Sequence, residues 1–365
     1  MSIVDRIDAV TKIDPIRFKM GNIQPAPKSV KIEITARCNL RCKYCAVRTR
    51  DKQPKDDMDF YFFQKITEDM RISGVEEIGL FYLGESFMNP KLLVECTEWC
   101  KKIGFTYIFL TSNATCADPD VVNVVMSAGL DSLKWSINGA NLEQFQKITG
   151  GSKKLFNKAL ENIKEAWGIR NEYGYKTMLS ASSILYENEQ KEKMQGLLNE
   201  YVIPYVDKHY WLPLYQMSMY ADKVIQDTGY TPTHGNMGRI DEATMKPNRK
   251  PLPCWSAFTE GHVRVDGGLS ACCFGADDNF DMGQLDGTNF IRMWNSKKFQ
   301  ILRESQLKTL TVGTSILRGT PCEVCVAYAK LPENMKLHIE PPKDYYERLG
   351  EDVFSGTEKY APDKE

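Results

Sequence analysis

The sequence predicts an α/β fold, a partial (β/α)6 TIM-like barrel followed by a small α+β module. Three observations predict it. Between residues 29 and 215, six apolar strand-like runs alternate with amphipathic helical stretches, the pattern of a parallel sheet covered by helices. That span is shorter than the about 250 residues of a closed eight-fold barrel, so six units fit better than eight. A Gly-, Pro- and polar-rich stretch at 216–253 then separates these units from a cysteine-bearing segment at 254–328.

The elements follow in order. Residues 1–28 form an N-terminal segment. Val30, Ile32 and Ile34 alternate with Lys and Glu, a strand signature. A helix is predicted over 58–73, closed near Gly74. The apolar run 78–83 reads as a strand, and 89–104 as a helix with Pro near its start and Gly at its end. Strands at 105–111, 133–137, 177–185 and 209–215 alternate with helices at 118–129, 154–174 and 187–202. Beyond the linker, 262–273 reads as a β-hairpin with a Gly-rich turn and 290–305 as one helix. Residues 329–365 are charged and Pro-containing, as expected of a loosely held tail.

Composition narrows the function. The chain has 365 residues, a formal net charge of −1 and 42% apolar residues, enough for a core and without the basic excess of a nucleic-acid binder. No run is long and apolar enough to span a bilayer, and the polar N-terminus is unlike a signal peptide. The expectation is a cytoplasmic protein without membrane or nucleic-acid partners. Eleven cysteines are then unusual, because disulfides are rare in a reducing compartment and clustered cysteines more often hold metal.

Cys38, Cys42 and Cys45 are spaced C-x3-C-x2-C directly after the first strand. Three thiolates on one loop can hold three irons of a cubane. Cubanes ordinarily take four, so one iron stays open to a small molecule, as a catalytic metal site requires. The competing reading is a zinc site or inert buried thiols. Zinc wants a fourth Cys or His, and the nearest His in sequence is His209.

With Tyr44 supplying the aromatic of C-x3-C-x-aromatic-C, the sequence resembles the radical S-adenosylmethionine (radical SAM) superfamily. The resemblance implies a [4Fe–4S] cluster whose open iron chelates SAM, and reductive cleavage to a 5′-deoxyadenosyl radical. Leu83-Gly84-Glu85 resembles the family's Gly-Gly-Glu motif, with Leu83 in place of the first Gly. A carboxylate there suits the SAM ammonium, and this is favoured over the competing reading of a charge at the start of the following helix. Thr111-Ser112-Asn113 and Ser136 with Asn138 resemble family positions that touch the ribose or carboxylate of SAM. They stand at strand C-terminal ends, where barrel active sites open; ordinary turn chemistry of Ser and Asn is the alternative.

Cys254 and Cys272 fit C-x12-G-x4-C around Gly267, and Cys322-x2-Cys325 follows. Four thiolates complete a second cluster, and a zinc ribbon would use the same four. Cys273 is set aside because strand alternation turns it away from Cys272. The arrangement resembles the SPASM/twitch extension of the superfamily, in its shorter twitch form with one auxiliary [4Fe–4S] cluster. Cys96 and Cys100, at i and i+4 on one helix face, read as packing.

The resemblance implies a small-molecule substrate, a carbohydrate-like or aminocyclitol alcohol that is oxidised or remodelled with the auxiliary cluster as electron conduit, and a donor such as flavodoxin or ferredoxin. A peptide-modifying maturase is the alternative. The 37 residues before Cys38 are few for the leader-binding domain many maturases carry. A non-enzymatic zinc-binding protein is the remote third reading.

Overall fold

The computed structural model describes residues 3–10, 23–45, 55–186, 188–213, 239–247, 254–273, 281–312 and 322. Helix α1 (Ile3–Val10) precedes six parallel strands: β1 (Ser29–Ile32), β2 (Glu77–Gly79), β3 (Tyr107–Ser112), β4 (Ser132–Ser136), β5 (Met178–Ile184) and β6 (Lys208–Leu212). They pair in sequence order. The crossovers carry α2 (Phe60–Ile72), α3 (Pro90–Lys102), α4 (Pro119–Ser127), α5 (Leu142–Thr149), α6 (Lys153–Tyr173) and α7 (Asn188–Tyr201). This is the partial barrel the alternation predicts.

Register explains the two faces. Val30, Ile78 and Ile108 stand side by side, as do Leu110, Leu133 and Leu179, and all are buried beneath the helices. Phe63, Ile66 and Met70 of α2 cover them, with Cys96 and Cys100 of α3, Val125 of α4 and Ile163 of α6. Cys96 and Cys100 are therefore packing residues. Strand alternation sends the intervening residues to the lumen, which receives Lys31, Phe109, Lys134 and Tyr210. The helices start where the sequence supplies caps: Asp59 accepts from the Phe62 amide at 2.8 Å, and Asn89 and Asp118 cap helices with proline in the first turn.

Beyond the barrel, β7 (Ile240–Asp241) and β8 (Lys246–Pro247) form a short ladder. β9 (Glu260–Val263) and β10 (Gly268–Ser270) form the expected hairpin, joined by β11 (Asp281–Gln284). β9 pairs in parallel with β1, Ser29 opposite Glu260 through Ile32 opposite Val263. The sheet thus has nine strands, and the cysteine-bearing hairpin covers the edge that an incomplete barrel leaves open.

Four local expectations differ. The strand expected over 78–83 spans only Glu77–Gly79, and the last barrel strand ends at Leu212. Helices α1 and α5 were not foreseen; α5 has only eight residues, too few for a periodic signal. The single helix expected over 290–305 is two, Phe290–Trp294 and Lys297–Val312. Trp294 and Phe299 are both fully buried, and five helical residues would set them about 140° apart. The break at Asn295 lets both enter one core. Most of the linker at 216–253 and the tail at 329–365 lie outside the described residues.

Candidate active site

The cysteine loop leaves β1 through Glu33 and Ile34, whose backbone still pairs with Val263 and Met58. It is then pinned by α5. The Arg41 and Lys43 amides donate to the Thr149 and Ile148 carbonyls at 2.7 and 2.9 Å, so the orphan carbonyls at the end of α5 are satisfied by the loop itself. The Arg41 guanidinium folds back onto the Cys38 and Leu40 carbonyls at 2.6 and 2.8 Å. The Cys45 amide closes a turn on the Cys42 carbonyl.

Gly84 abuts this loop from the next β–α connection. A Cβ at Gly84 would lie 2.0 Å from the Thr35 carbonyl oxygen and 3.0 Å from that of Arg37. Only glycine allows this approach, and it lets the Glu85 amide donate to the Arg37 carbonyl at 2.8 Å. The Glu85 side chain is buried. Its carboxylate accepts from the Ser112 hydroxyl at 2.9 Å, the Asn113 amide at 2.8 Å and the Phe87 amide at 3.3 Å. Burial raises its pKa, opposed by these donors, the Asn113 amide first. Glu85 does cap the short 3₁₀ turn Ser86–Met88, so both readings of this residue meet in one side chain. Among the described residues no cation pairs with it.

The turn after β3 is equally tied. Asn113 donates to Asn39 at 3.2 Å and accepts from the Thr115 amide and hydroxyl. Ala114 adopts a left-handed conformation (φ 66°), uncommon without glycine. Asn162 of α6 holds its carbonyl at 2.7 Å. Tyr44 accepts from Asn138 at 2.7 Å, and Asn138 in turn accepts from the Ile184 amide at 3.0 Å. The aromatic of the cysteine motif is thereby joined to the ends of β4 and β5.

These residues surround one cavity of about 240 Å³. Cys38, Cys42, Cys45, Tyr44, Gly84, Glu85, Ser112, Asn113 and Ser136 all line it, with Thr111 and Asn138. Phe81, Ile137, Phe145, Phe156 and Leu160 supply apolar walls. Burial, then the Glu85 charge, pushes the Cys38 thiol up to about 12. Burial raises Cys42, with further increments from Cys45 and Cys38. Mutual repulsion of this kind is that of neighbouring thiols, and a cationic centre would favour their ionised forms. Among the described residues, no three Cys, His, Asp or Glu side chains are gathered as a single metal ion requires. A zinc ion would draw its sulfurs to about 2.3 Å from one centre. The donor set fits a larger centre such as a cubane better.

Below the cavity lies a polar lumen. Lys31 pairs with Glu260 at 2.6 Å, and His262 Nε2 lies 3.2 Å from the same carboxylate. Tyr82 lines the cavity and donates to the Cys272 carbonyl at 2.7 Å, joining this site to the second cysteine group.

In that group, Cys254, Cys272 and Cys322 are half-buried, and Cys325 lies outside the described residues. Strand β10 ends at Ser270. Cys272 and Cys273 therefore both sit in the bend beyond it, and strand alternation does not separate them. The buried Gln306 ties two of the cysteines together. Its Oε1 accepts from the Cys254 amide at 3.0 Å, and its Nε2 donates to the Cys322 sulfur at 3.3 Å. No sequence signal selects a glutamine inside a helix for such a role. Nor does any select the pairing of Lys31 with Glu260, which forms because β9 lies against β1.

Residues 32–195 match the family model described as radical SAM superfamily, and residues 254–326 the one described as iron-sulfur cluster-binding domain (SPASM). An uncharacterized protein of Methanocaldococcus jannaschii is 25% identical over 174 residues, 45% of this chain and 54% of that one. The tungsten-containing aldehyde ferredoxin oxidoreductase cofactor-modifying protein of Pyrococcus furiosus is 26% identical over 169 residues, 45% of this chain and 46% of its own length. A PqqA peptide cyclase of Methylorubrum populi is 28% identical over 130 residues, 36% and 33% of the two chains. The chain thus spans about half the length, or less, of these curated relatives. Among solved structures, Streptococcus suis SuiB bound to precursor peptide SuiA aligns with TM-score 0.53 at 13% identity, over 76% of this chain and 67% of that one. Native anSMEcpe with bound AdoMet aligns with TM-score 0.52 at 13% identity, over 82% and 88%. At such identities the likeness is one of fold.

Proposed function

From a chain that belongs to the radical SAM superfamily and carries a SPASM iron–sulfur domain behind its barrel, we propose an enzyme that reductively cleaves SAM and uses the 5′-deoxyadenosyl radical to take hydrogen from a substrate. The observation that carries this reading is the convergence of three thiols, Glu85, Ser112, Asn113 and Ser136 on one cavity. The two domains imply [4Fe–4S] clusters and bound SAM. In this reading Cys38, Cys42 and Cys45 hold the first cluster, and Cys254, Cys272, Cys322 and Cys325 the auxiliary one. When bound, the clusters supply one-electron chemistry, the first toward SAM and the second as an electron conduit.

The chain's own residues do the rest. Gly84 permits the close approach of Glu85 to the cysteine loop. Ser112 and the Asn113 amide hold the Glu85 carboxylate, which pairs with the SAM ammonium. Tyr44, Ser136 and Asn138 orient the remainder of SAM. Phe81, Phe145 and Phe156 keep water from the reacting atoms.

The substrate in this reading is a carbohydrate-like or aminocyclitol alcohol, oxidised or remodelled, with flavodoxin or ferredoxin as electron donor. The division into a barrel at 29–215, a linker at 216–253 and a cysteine module at 254–328 belongs to the same reading, as does a cytoplasmic location. Among the described residues no helix is long and apolar enough to cross a membrane. Peptide modification is a second reading, favoured by similarity to PqqA peptide cyclases.

Anaerobic purification tests the proposal. About eight irons per chain are expected, four per cubane. Cys42→Ala should abolish 5′-deoxyadenosine release while keeping the auxiliary iron. Stoichiometric zinc without iron, or SAM cleavage that survives Cys42→Ala, would refute it. Deuterated polyols and deuterated peptides, followed by deuterium in 5′-deoxyadenosine, separate the two substrate readings.

A further inference from the structure

The barrel lumen holds a lysine that makes no ion pair among the described residues. Lys134 lies at mid-length on β4, opposite Thr111 and Ser180 in the adjoining strands. Ser136, two residues on and therefore on the same face, lines the cavity. The two Cα atoms are separated by about 7 Å along the strand. The Lys134 side chain is only partly exposed, and Nζ lies 5.9 Å from the centroid of the Tyr210 ring.

Glu260 is the carboxylate whose charge acts on it, and the acidic side chains of the neighbouring strands have partners of their own. Glu260 is held by Lys31 at 2.6 Å and faces His262 at 3.2 Å. Glu33 accepts from the Val265 amide at 3.1 Å. Glu77 pairs with Arg6 and Lys28, and Glu85 is held by Ser112 and Asn113. Among the described residues no hydrogen bond or ion pair reaches the Lys134 ammonium. Burial, then Lys31, lowers its pKa to about 8, with Glu260 opposing, so at neutral pH it remains mainly charged. An apolar residue would fill this place more stably. A lumen ammonium on the same strand face as a cavity-lining residue, with no ion pair among the described residues, instead suits an anion that arrives with the ligand.

Resting on the radical SAM reading, we propose that Lys134 receives an acidic group of the substrate, a carboxylate or a phosphate, in the lumen beneath the SAM cavity. The substrate class is thereby an acidic sugar or cyclitol, its ring near the walls formed by Phe81 and Tyr82 and its anion on Lys134. A single sugar ring bearing an acidic group bridges the distance from Ser136 to Lys134.

The test uses the full chain with both clusters and SAM, dialysed to equilibrium against labelled glucuronate, glucose 6-phosphate and glucose. At least one acidic sugar is expected to bind about tenfold or more tightly than glucose, the scale of a charge-assisted hydrogen bond. Whichever acid binds better identifies the anion as carboxylate or phosphate. Lys134→Gln should erase the preference and Lys134→Arg should keep most of it. Equal binding of acidic and neutral sugars, or a preference that survives Lys134→Gln, overturns the proposal. Thermal denaturation without sugar supplies a second readout. Loss of a partly exposed charge with no internal partner should leave the Lys134→Gln midpoint unchanged or higher, whereas a clear fall means that Lys134 serves an internal partner and overturns the proposal too. Release of 5′-deoxyadenosine by the reduced wild-type enzyme is measured alongside. Its failure counts against the radical reading, and the dialysis judges Lys134 separately.

Discussion

Gly84→Ala is a change of one methyl group at the point where two connections of the barrel touch. The added Cβ would lie 2.0 Å from the Thr35 carbonyl oxygen, so the two segments must part by at least about 1 Å to reach an ordinary contact. Neither side yields easily. Thr35 is bridged to Asp57, and the neighbouring Ile34 carbonyl and Ala36 amide are bonded to Met58 and Asp56. On the other side, Glu85 is held through its amide and three carboxylate contacts. Overpacking of this kind costs about 1–3 kcal/mol, which at this chain size lowers Tm by roughly 2–4 °C per kcal/mol. The larger effect falls on function. A displacement of about 1 Å at a positioning group can cost on the order of 100-fold in rate, and here it moves Glu85 away from the cysteine loop. Thermal denaturation, iron content and 5′-deoxyadenosine release by reduced enzyme measure the three consequences. The expected result is a modest fall in Tm, near-normal iron and a rate lower by about two orders of magnitude. An alanine variant with wild-type Tm and wild-type SAM cleavage would refute the close-packing argument.

Two further outcomes follow from the lumen and the auxiliary cysteines. Glu260 is buried, which alone would raise its pKa, yet Lys31 and His262 hold it down to about 2 from an ordinary 4.5. A depressed carboxyl contributes stability that is complete above the ordinary carboxylate pKa and is lost as pH falls from about 4.5 toward 2. Lys31→Met should therefore destabilise the protein by about 3 kcal/mol at neutral pH, with the deficit narrowing in acid; denaturant titrations across that range give the comparison, and a pH-independent deficit contradicts the pairing. Gln306→Leu removes the hydrogen bond to the Cys322 sulfur. Because such bonds favour the reduced cluster, the auxiliary potential should move negative by on the order of tens of millivolts, read by EPR-monitored redox titration; an unchanged potential would mean that Gln306 only fastens the backbone.

Much of this protein was legible in its sequence because the relevant signals are local. Hydrophobic alternation between strand and helix periods marks each β–α unit regardless of what it packs against. The cysteine triad sits on one short loop, and Gly84, Glu85, Ser112, Asn113 and Ser136 stand at strand ends that a parallel sheet brings to a common rim. Other features depend on which distant segments meet. α5 is amphipathic but spans only eight residues, about two turns, yet its carbonyls shape the cysteine loop. Pairing of β9 with β1 joins residues more than two hundred positions apart, and neither strand's composition names its partner. The break at Asn295 arises because Trp294 and Phe299 must share one core, a demand invisible to helix propensity. Cys272 and Cys273 looked separable by alternation until the strand ended at Ser270. Lys31 and Glu260 stand 229 positions apart in sequence, and only the pairing of β9 with β1 brings them together. The sequence by itself determined the β–α units and the candidate ligands, through short-range periodicity and spacing. Only the tertiary structure decided their neighbours, because burial and charge pairing are properties of the assembled sheet and not of any one strand.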